Sequence, residues 1–218
     1  MDKIKRSFAN TSESISDNLI NLFKNKKNAN DLLTDFSIIK KMRIGISYLS
    51  KDNKPTLLND IFGSEFTHAA IHFTIEMNGN PSGVIVQYGQ YKYIEKDKYN
   101  NIINNIGFPY KEKGGLVFGE MDDETFETNF CSVGEIPLIL TKKHPKMTLK
   151  KFLNEVKRKN GPWDFEHYDK VNKSCQDFVV AGLQIIKPRY SDSQVKLKNN
   201  MKIPVVIENE LKKHELED

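Results

Sequence analysis

In Asn172-Lys173-Ser174-Cys175-Gln176-Asp177-Phe178-Val179 a cysteine falls where a helix begins. The helix predicted from near Ser174 carries Phe178, Val179, Leu183, Ile185 and Ile186, and it stops before Pro188, which lacks a backbone donor and clashes with a preceding turn. Apolar residues occupy nearly every side of it, the pattern of a helix at the centre of a fold, and Gly182 would let it approach a sheet closely.

A cysteine is a nucleophile only as its thiolate. The unpaired N–H groups and partial positive charge of a helix N-terminus lower a thiol pKa from about 8.5, and Cys175 sits where that effect is largest. The competing reading is a buried structural cysteine, since free Cys is among the most buried residue types. Polar Ser174 and Gln176 on either side weigh against it.

Such a thiol needs an imidazole to take its proton, pair with the thiolate and later protonate a leaving group. Of five histidines, His214 lies in a charged tail, His144 sits beside Pro145 in a loop, and His167 is near Cys175 in sequence alone. His68 and His72 belong to a segment, His68 to Glu76, that alternates with period two. Ala69, Ile71, Phe73 and Ile75 line one face of a strand, and His68, Ala70, His72 and Thr74 the other. A strand of this kind can face the central helix.

Working outward, the chain reads as an α+β fold with an antiparallel sheet of about four to six strands packed on the central helix. Met42, Ile44, Ile46 and Tyr48 alternate with Arg43, Gly45 and Ser47 as a first strand. Asn78-Gly79-Asn80-Pro81-Ser82-Gly83 is dense in turn residues and leads to a β-rich run from Val84 to Tyr93, which predicts a hairpin. Beyond the polar segment Lys96 to Lys113, Gly115 to Gly119 and Gly134 to Thr141 read as strands, separated by an acidic run, Glu120 to Glu127, read as a solvated face. Thr148 caps a helix with the buried stripe Leu149, Phe152, Leu153 and Val156, ended by Gly161-Pro162. Trp163, Phe165 and Tyr168 are read as packing the loop before Cys175, and Cys131, ahead of a strand, as structural.

At the ends, Ile15, Leu19, Leu22 and Phe23, then Leu32, Leu33, Phe36 and Ile39, recur at spacings of three and four, which predicts helices capping the domain. Ile203 to Ile207 reads as an edge strand before a charged tail. The expected divisions are therefore a helical extension over 1–40, a catalytic domain over 41–190, and an edge strand with tail over 191–218.

Composition narrows the function by exclusion. The 218 residues suit one core better than two. A net charge of +4 arises from 33 basic residues interleaved with 29 acidic ones, without the basic stripe of a nucleic-acid-binding protein. No apolar stretch reaches the ~18 residues of a membrane span, so a soluble chain is expected, with peripheral membrane contact left open. Two cysteines without a secretion signal point to a reducing compartment, the cytoplasm, or a host cytoplasm if the source is a pathogen. There is no CxxC pair, and His68-Ala69-Ala70-Ile71-His72 lacks the Glu of a zinc-binding HExxH helix. No metal and no cofactor are expected.

Taken together, Thr67-His68-Ala69-Ala70-Ile71-His72 and Asn172-Lys173-Ser174-Cys175-Gln176-Asp177-Phe178-Val179 resemble the circularly permuted papain-like fold, in particular the lecithin:retinol acyltransferase-like branch of the NlpC superfamily, over roughly residues 42 to 187. In that branch a strand-borne His precedes the helix-borne Cys, as here. Ala69 and His72 stand where the branch usually has aromatic residues. The resemblance implies that Cys175 is the nucleophile, that His68 rather than His72 is the base, and that a polar residue on the following strand orients the imidazole, for which Gln87 is the candidate. It implies a thiol hydrolase or acyltransferase forming a thioester on an acyl-lipid, peptide or isopeptide substrate. The alternatives are a catalytically inactive papain-like module that recruits a protein partner, and a purely structural protein in which Cys175 and His68 lie apart.

Overall fold

Period-two alternation becomes an antiparallel sheet. The computed structural model describes residues 32–48, 67–90, 114–138, 146–163, 167–169, 172–187 and 203–213. Within them lie β1 (Ile38–Tyr48), β2 (Thr67–Met77), β3 (Asn80–Gln90), β4 (Gly114–Glu120) and β5 (Cys131–Pro137), in the spatial order β4-β3-β2-β1-β5 with every neighbouring pair antiparallel. The helices are α1 (Asp123–Asn129), α2 (Leu149–Asn160), α3 (Cys175–Ile186) and α4 (Val205–Lys212). The architecture is α+β, as the alternation of strand and helix patterns predicted.

Side-chain parity decides what each face covers. Met42, Ile44 and Ile46 of β1, Ala69, Ile71, Phe73 and Ile75 of β2, and Val84, Val86 and Tyr88 of β3 join α2 and α3 in the main core. Nine of the twelve residues of α3 are buried, which is why its sequence is apolar nearly all round. Gly182 is where it closes on the sheet: a Cβ there would collide with Ile71 Cδ1 and lie 3.3 Å from Phe152 Cζ. The stripe of α2 packs as expected, with Phe152 edge-on to Phe73 at 4.8 Å and Thr148 Oγ1 accepting from Lys151 N at 3.2 Å.

The opposite face is covered as well. Ala70, Ile85, Met121, Phe126 and Phe130 form a second cluster beneath α1, so β2 is buried on both sides from Thr67 to Phe73. The acidic run read as a solvated face is thus largely a helix. Asp122 caps it by accepting from Thr125 N at 2.7 Å, and Phe126 points inward.

Other boundaries also differ from expectation. The turn is the two residues Asn78 and Gly79, with φ of 52° and 82°, so β3 begins at Asn80 and includes Pro81 to Gly83. Pro81 pairs with Glu76 on one side, while β4 reaches only to Val84, which leaves proline on an unpaired edge where its missing N–H costs nothing. β1 starts at Ile38, inside the stretch assigned to a helical extension; Leu33, Phe36 and Ile39 share a helical spacing by coincidence, and Phe36 is 70% exposed. The rest of that extension, 1–31, lies outside the described residues, as do Lys51 to Asn53, Lys96 to Lys113, His144 and His214. Cys131 opens β5 rather than preceding a strand. The edge strand expected at Ile203 to Ile207 is instead the start of α4, because Pro204 begins a helix that buries Ile207 and Leu211, four residues apart, against the main core. A short apolar run does not distinguish the two periods. Among the described residues no helix is long and apolar enough to cross a membrane.

Candidate active site

The sheet comes apart at one point, and the candidate site lies there. β2 and β3 pair from Met77↔Asn80 to Ala70↔Gln87, after which β3 continues with β4 as far as Gln90↔Gly114 while β2 continues with β1 as far as Thr67↔Tyr48. The β2–β3 register therefore ends at Ala70. The sulfur of Cys175 lies just beyond it: it accepts from Ala69 N–H at 3.4 Å, and the Thr67 carbonyl lies 3.9 Å away.

Cys175 is held there by the cap of α3. Ser174 Oγ accepts from Gln176 N at 3.2 Å, and Asp177 Oδ2 accepts from Ser174 N at 2.7 Å and from Ser174 Oγ at 2.8 Å, a reciprocal capping box. Asn172 N donates to Asp169 Oδ1 at 3.0 Å, and Asp169 and Lys173 exchange backbone hydrogen bonds, which pins the chain just ahead of the helix start. Lys173 Nζ donates to the Asn160 carbonyl at 3.1 Å and lies 4.7 Å from the centroid of Trp163, which ties Lys173 to the end of α2. Trp163 is a core residue, edge-on to Tyr88 and Phe178, and Tyr168 packs on Tyr88. Phe165 lies outside the described residues.

His68 reaches the same sulfur from β2. Its Nε2 lies 2.9 Å from Gln87 Oε1, so Nε2 carries the hydrogen and the amide oxygen accepts it. Cys175 is its other side-chain partner, which leaves Nδ1 to face the thiol. Gln87 stands in the last β2–β3 pair, on the same sheet face as His68 and within diagonal reach of it. All three side chains are buried.

The two ionisations support each other. Burial pushes the Cys175 thiol up, but the charge and hydrogen bond of His68, with the Ala69 N–H, outweigh burial and the opposing charge of Asp177; the thiol ionises below its ordinary range. Burial also lowers His68, yet the charge and hydrogen bond of Cys175, followed by the bond to Gln87, raise it above an ordinary histidine. Both directions favour a thiolate–imidazolium pair.

The other residues weighed for these roles stand elsewhere. His72 is two repeats of the pleat further along β2, where its Nε2 donates to the Met121 carbonyl at 2.8 Å and its ring stacks on Phe126. Burial, helped by the charge of Arg43, outweighs the bond to Met121 and the charges of Asp123 and Asp122, and keeps it below its usual pKa and hence neutral. His167 lies exposed in a turn. Cys131 pairs in register with Ile46, which pairs with Ala69, so two strand spacings of about 4.8 Å separate it from the strand that Cys175 touches; both thiols are free. Among the described residues no group of His, Cys, Asp and Glu is arranged to hold a metal ion.

One buried charge on the His68 face of the sheet, across from His72, was not singled out in the sequence. Arg43 is 4% exposed, on the sheet face that alternation alone would leave to solvent. It forms ion pairs with Asp123 and, at 3.2 Å, with Glu127. The signal was present in the spacing of Asp123 and Glu127, one helical turn apart behind a capping Asp122. No protein family, curated protein or solved structure matches the chain in comparisons with known proteins.

Proposed function

We propose that this protein is a cysteine-dependent hydrolase or acyltransferase with a permuted papain-like arrangement, in which Cys175 forms a thioester with the acyl part of an ester or amide. The observation that carries this reading is the buried run Cys175, His68, Gln87, assembled from a helix start and two strands at the point where the sheet divides.

His68 Nδ1 accepts the thiol proton, and the thiolate attacks the carbonyl carbon, moving the carbonyl electron pair onto oxygen. The Gln176 and Asp177 N–H groups are committed to Ser174 Oγ and the Phe178 N–H to the Ser174 carbonyl, so the N–H of Cys175 itself is the helix-start donor left for the oxyanion. Collapse restores the carbonyl and breaks the bond to the leaving group, which takes the proton from Nδ1. Water or an acceptor alcohol or amine then loses a proton to His68 and attacks the thioester, releasing the acyl product and the thiolate. Gln87 holds Nε2–H throughout, fixing the tautomer in which Nδ1 is the working nitrogen.

The test is intact-mass analysis after brief incubation with a panel of activated acyl esters and peptide anilides. The expected result is a hydroxylamine-labile acyl adduct located on Cys175 and lost in Cys175→Ala. Turnover unaffected by Cys175→Ala, or no adduct on Cys175 with any acyl donor, would contradict the reading and favour an inactive binding module.

A further inference from the structure

Four rings run in succession from the second strand histidine to the first. His72 stacks on Phe126 with centroids 4.4 Å apart and planes at 24°, Phe126 stacks on Phe130 at 5.2 Å and 19°, and Phe130 lies against His68 at 6.4 Å and 45°. All four are more than nine-tenths buried. The far end of the run is clamped. Arg43, directly across the β1–β2 register from His72, holds α1 by its ion pairs with Asp123 and Glu127, and its guanidinium lies 5.9 Å from the Phe126 centroid. Gly45, next on the same face, leaves room for the rings: a Cβ there would lie 2.6 Å from Phe126 Cε2 and 2.9 Å from Phe130 Cβ.

The amide of Gln87 restrains one nitrogen of His68 and leaves the ring free to swing about that contact, because the terminal torsion of histidine is broad. An apolar ring packed against the imidazole removes that freedom and keeps water from the ion pair, whose attraction grows as the local dielectric falls. We propose that Phe130 is a positioning residue for the Cys175–His68 reaction, and that α1, locked by Arg43 and His72, is the strap that holds Phe130 against the base. This rests on the functional reading above. It also gives His72 a place: it anchors the ring stack rather than serving as a second base.

The test is the pH dependence of Cys175 alkylation by iodoacetamide, located by peptide mass, in the full chain and in four variants. In Phe130→Ala the midpoint moves up toward an ordinary thiol by about one pH unit. Phe130→Leu, which keeps an apolar wall, restores most of it, and Glu127→Gln, which loosens α1 from Arg43, moves it less but in the same direction. Phe152→Leu, on the other face of the sheet, lowers the Tm and leaves the midpoint in place. A folded Phe130→Ala with the wild-type midpoint overturns the proposal, as does an equal shift in Phe152→Leu. Should Phe130→Ala fail to fold, Glu127→Gln decides, since its carboxylate is 55% exposed, and an unchanged midpoint there overturns it. An ordinary thiol midpoint in the wild type would instead sink the Cys–His reading itself.

Discussion

Two histidines four residues apart on one strand face are set to opposite protonation states by their neighbours. His68 meets a thiolate and an amide oxygen and is favoured as the cation, whereas His72 is favoured neutral by burial and the charge of Arg43, which outweigh its bond to a carbonyl. The consequence for stability has a definite sign. A base whose pKa is lowered on folding makes the unfolded chain bind more protons between the depressed value and the ordinary 6.5, so stability falls as pH drops through that window. His68, raised on folding, contributes in the opposite sense, and its contribution is lost as pH rises through its folded pKa. Comparison with a variant separates the two: His72→Gln should flatten the acid-side loss of Tm between about pH 7 and pH 5 while the wild type declines. A slope identical in both would show that His72 is not held neutral.

Elements were legible in proportion to how completely their periods are expressed. The stripe Leu149, Phe152, Leu153, Val156 and its Thr148 cap define α2 to the residue, and the apolar girdle of α3 identifies it as central. The strand bearing His68 was readable from alternation, whereas Gln87 on the next strand was a candidate only through the resemblance, since a polar residue on a strand ordinarily just faces solvent. What alternation did not reveal is that both faces of β2 are covered, because α1 is only seven residues long and its apolar contribution is chiefly Phe126, with Phe130 at its C-cap. Two apolar residues at a four-residue spacing inside an acidic run are a weak helical signal, although the cap makes them readable in retrospect. At Ile203 to Ile207 the run was too short to separate strand from helix, and burial against the core made the choice. These elements differ in what they do for the site. Thr148→Ala should cost about 1 kcal/mol of unfolding free energy, the usual loss for an N-cap, with no change in Cys175 reactivity. A change in reactivity would mean that α2 is coupled to the site more tightly than its packing indicates.

At the scale of the molecule, one aromatic knot joins the pieces that make the site. Trp163, the single tryptophan of the chain, is 2% exposed and lies edge-on to Tyr88 of β3 and Phe178 of α3, with the Lys173 ammonium over its ring. Its backbone carbonyl accepts from Leu116 N of β4 at 3.1 Å. Tryptophan emission and far-ultraviolet circular dichroism should therefore report one coincident unfolding transition in urea, and two separated midpoints would show that the loop melts apart from the sheet. The central claim is that folding creates a thiolate–imidazolium pair from residues on a helix and a strand far apart in sequence. The most direct measurement is the rate of Cys175 alkylation by iodoacetamide from pH 4 to pH 9 in the wild type, His68→Ala, Gln87→Ala and His72→Ala. The account predicts labelling well below the ordinary thiol pKa of about 8.5 in the wild type, its collapse in His68→Ala, a partial upward shift in Gln87→Ala, and a smaller upward shift in His72→Ala. A Cys175 that titrates as an ordinary thiol and is indifferent to His68 would contradict it.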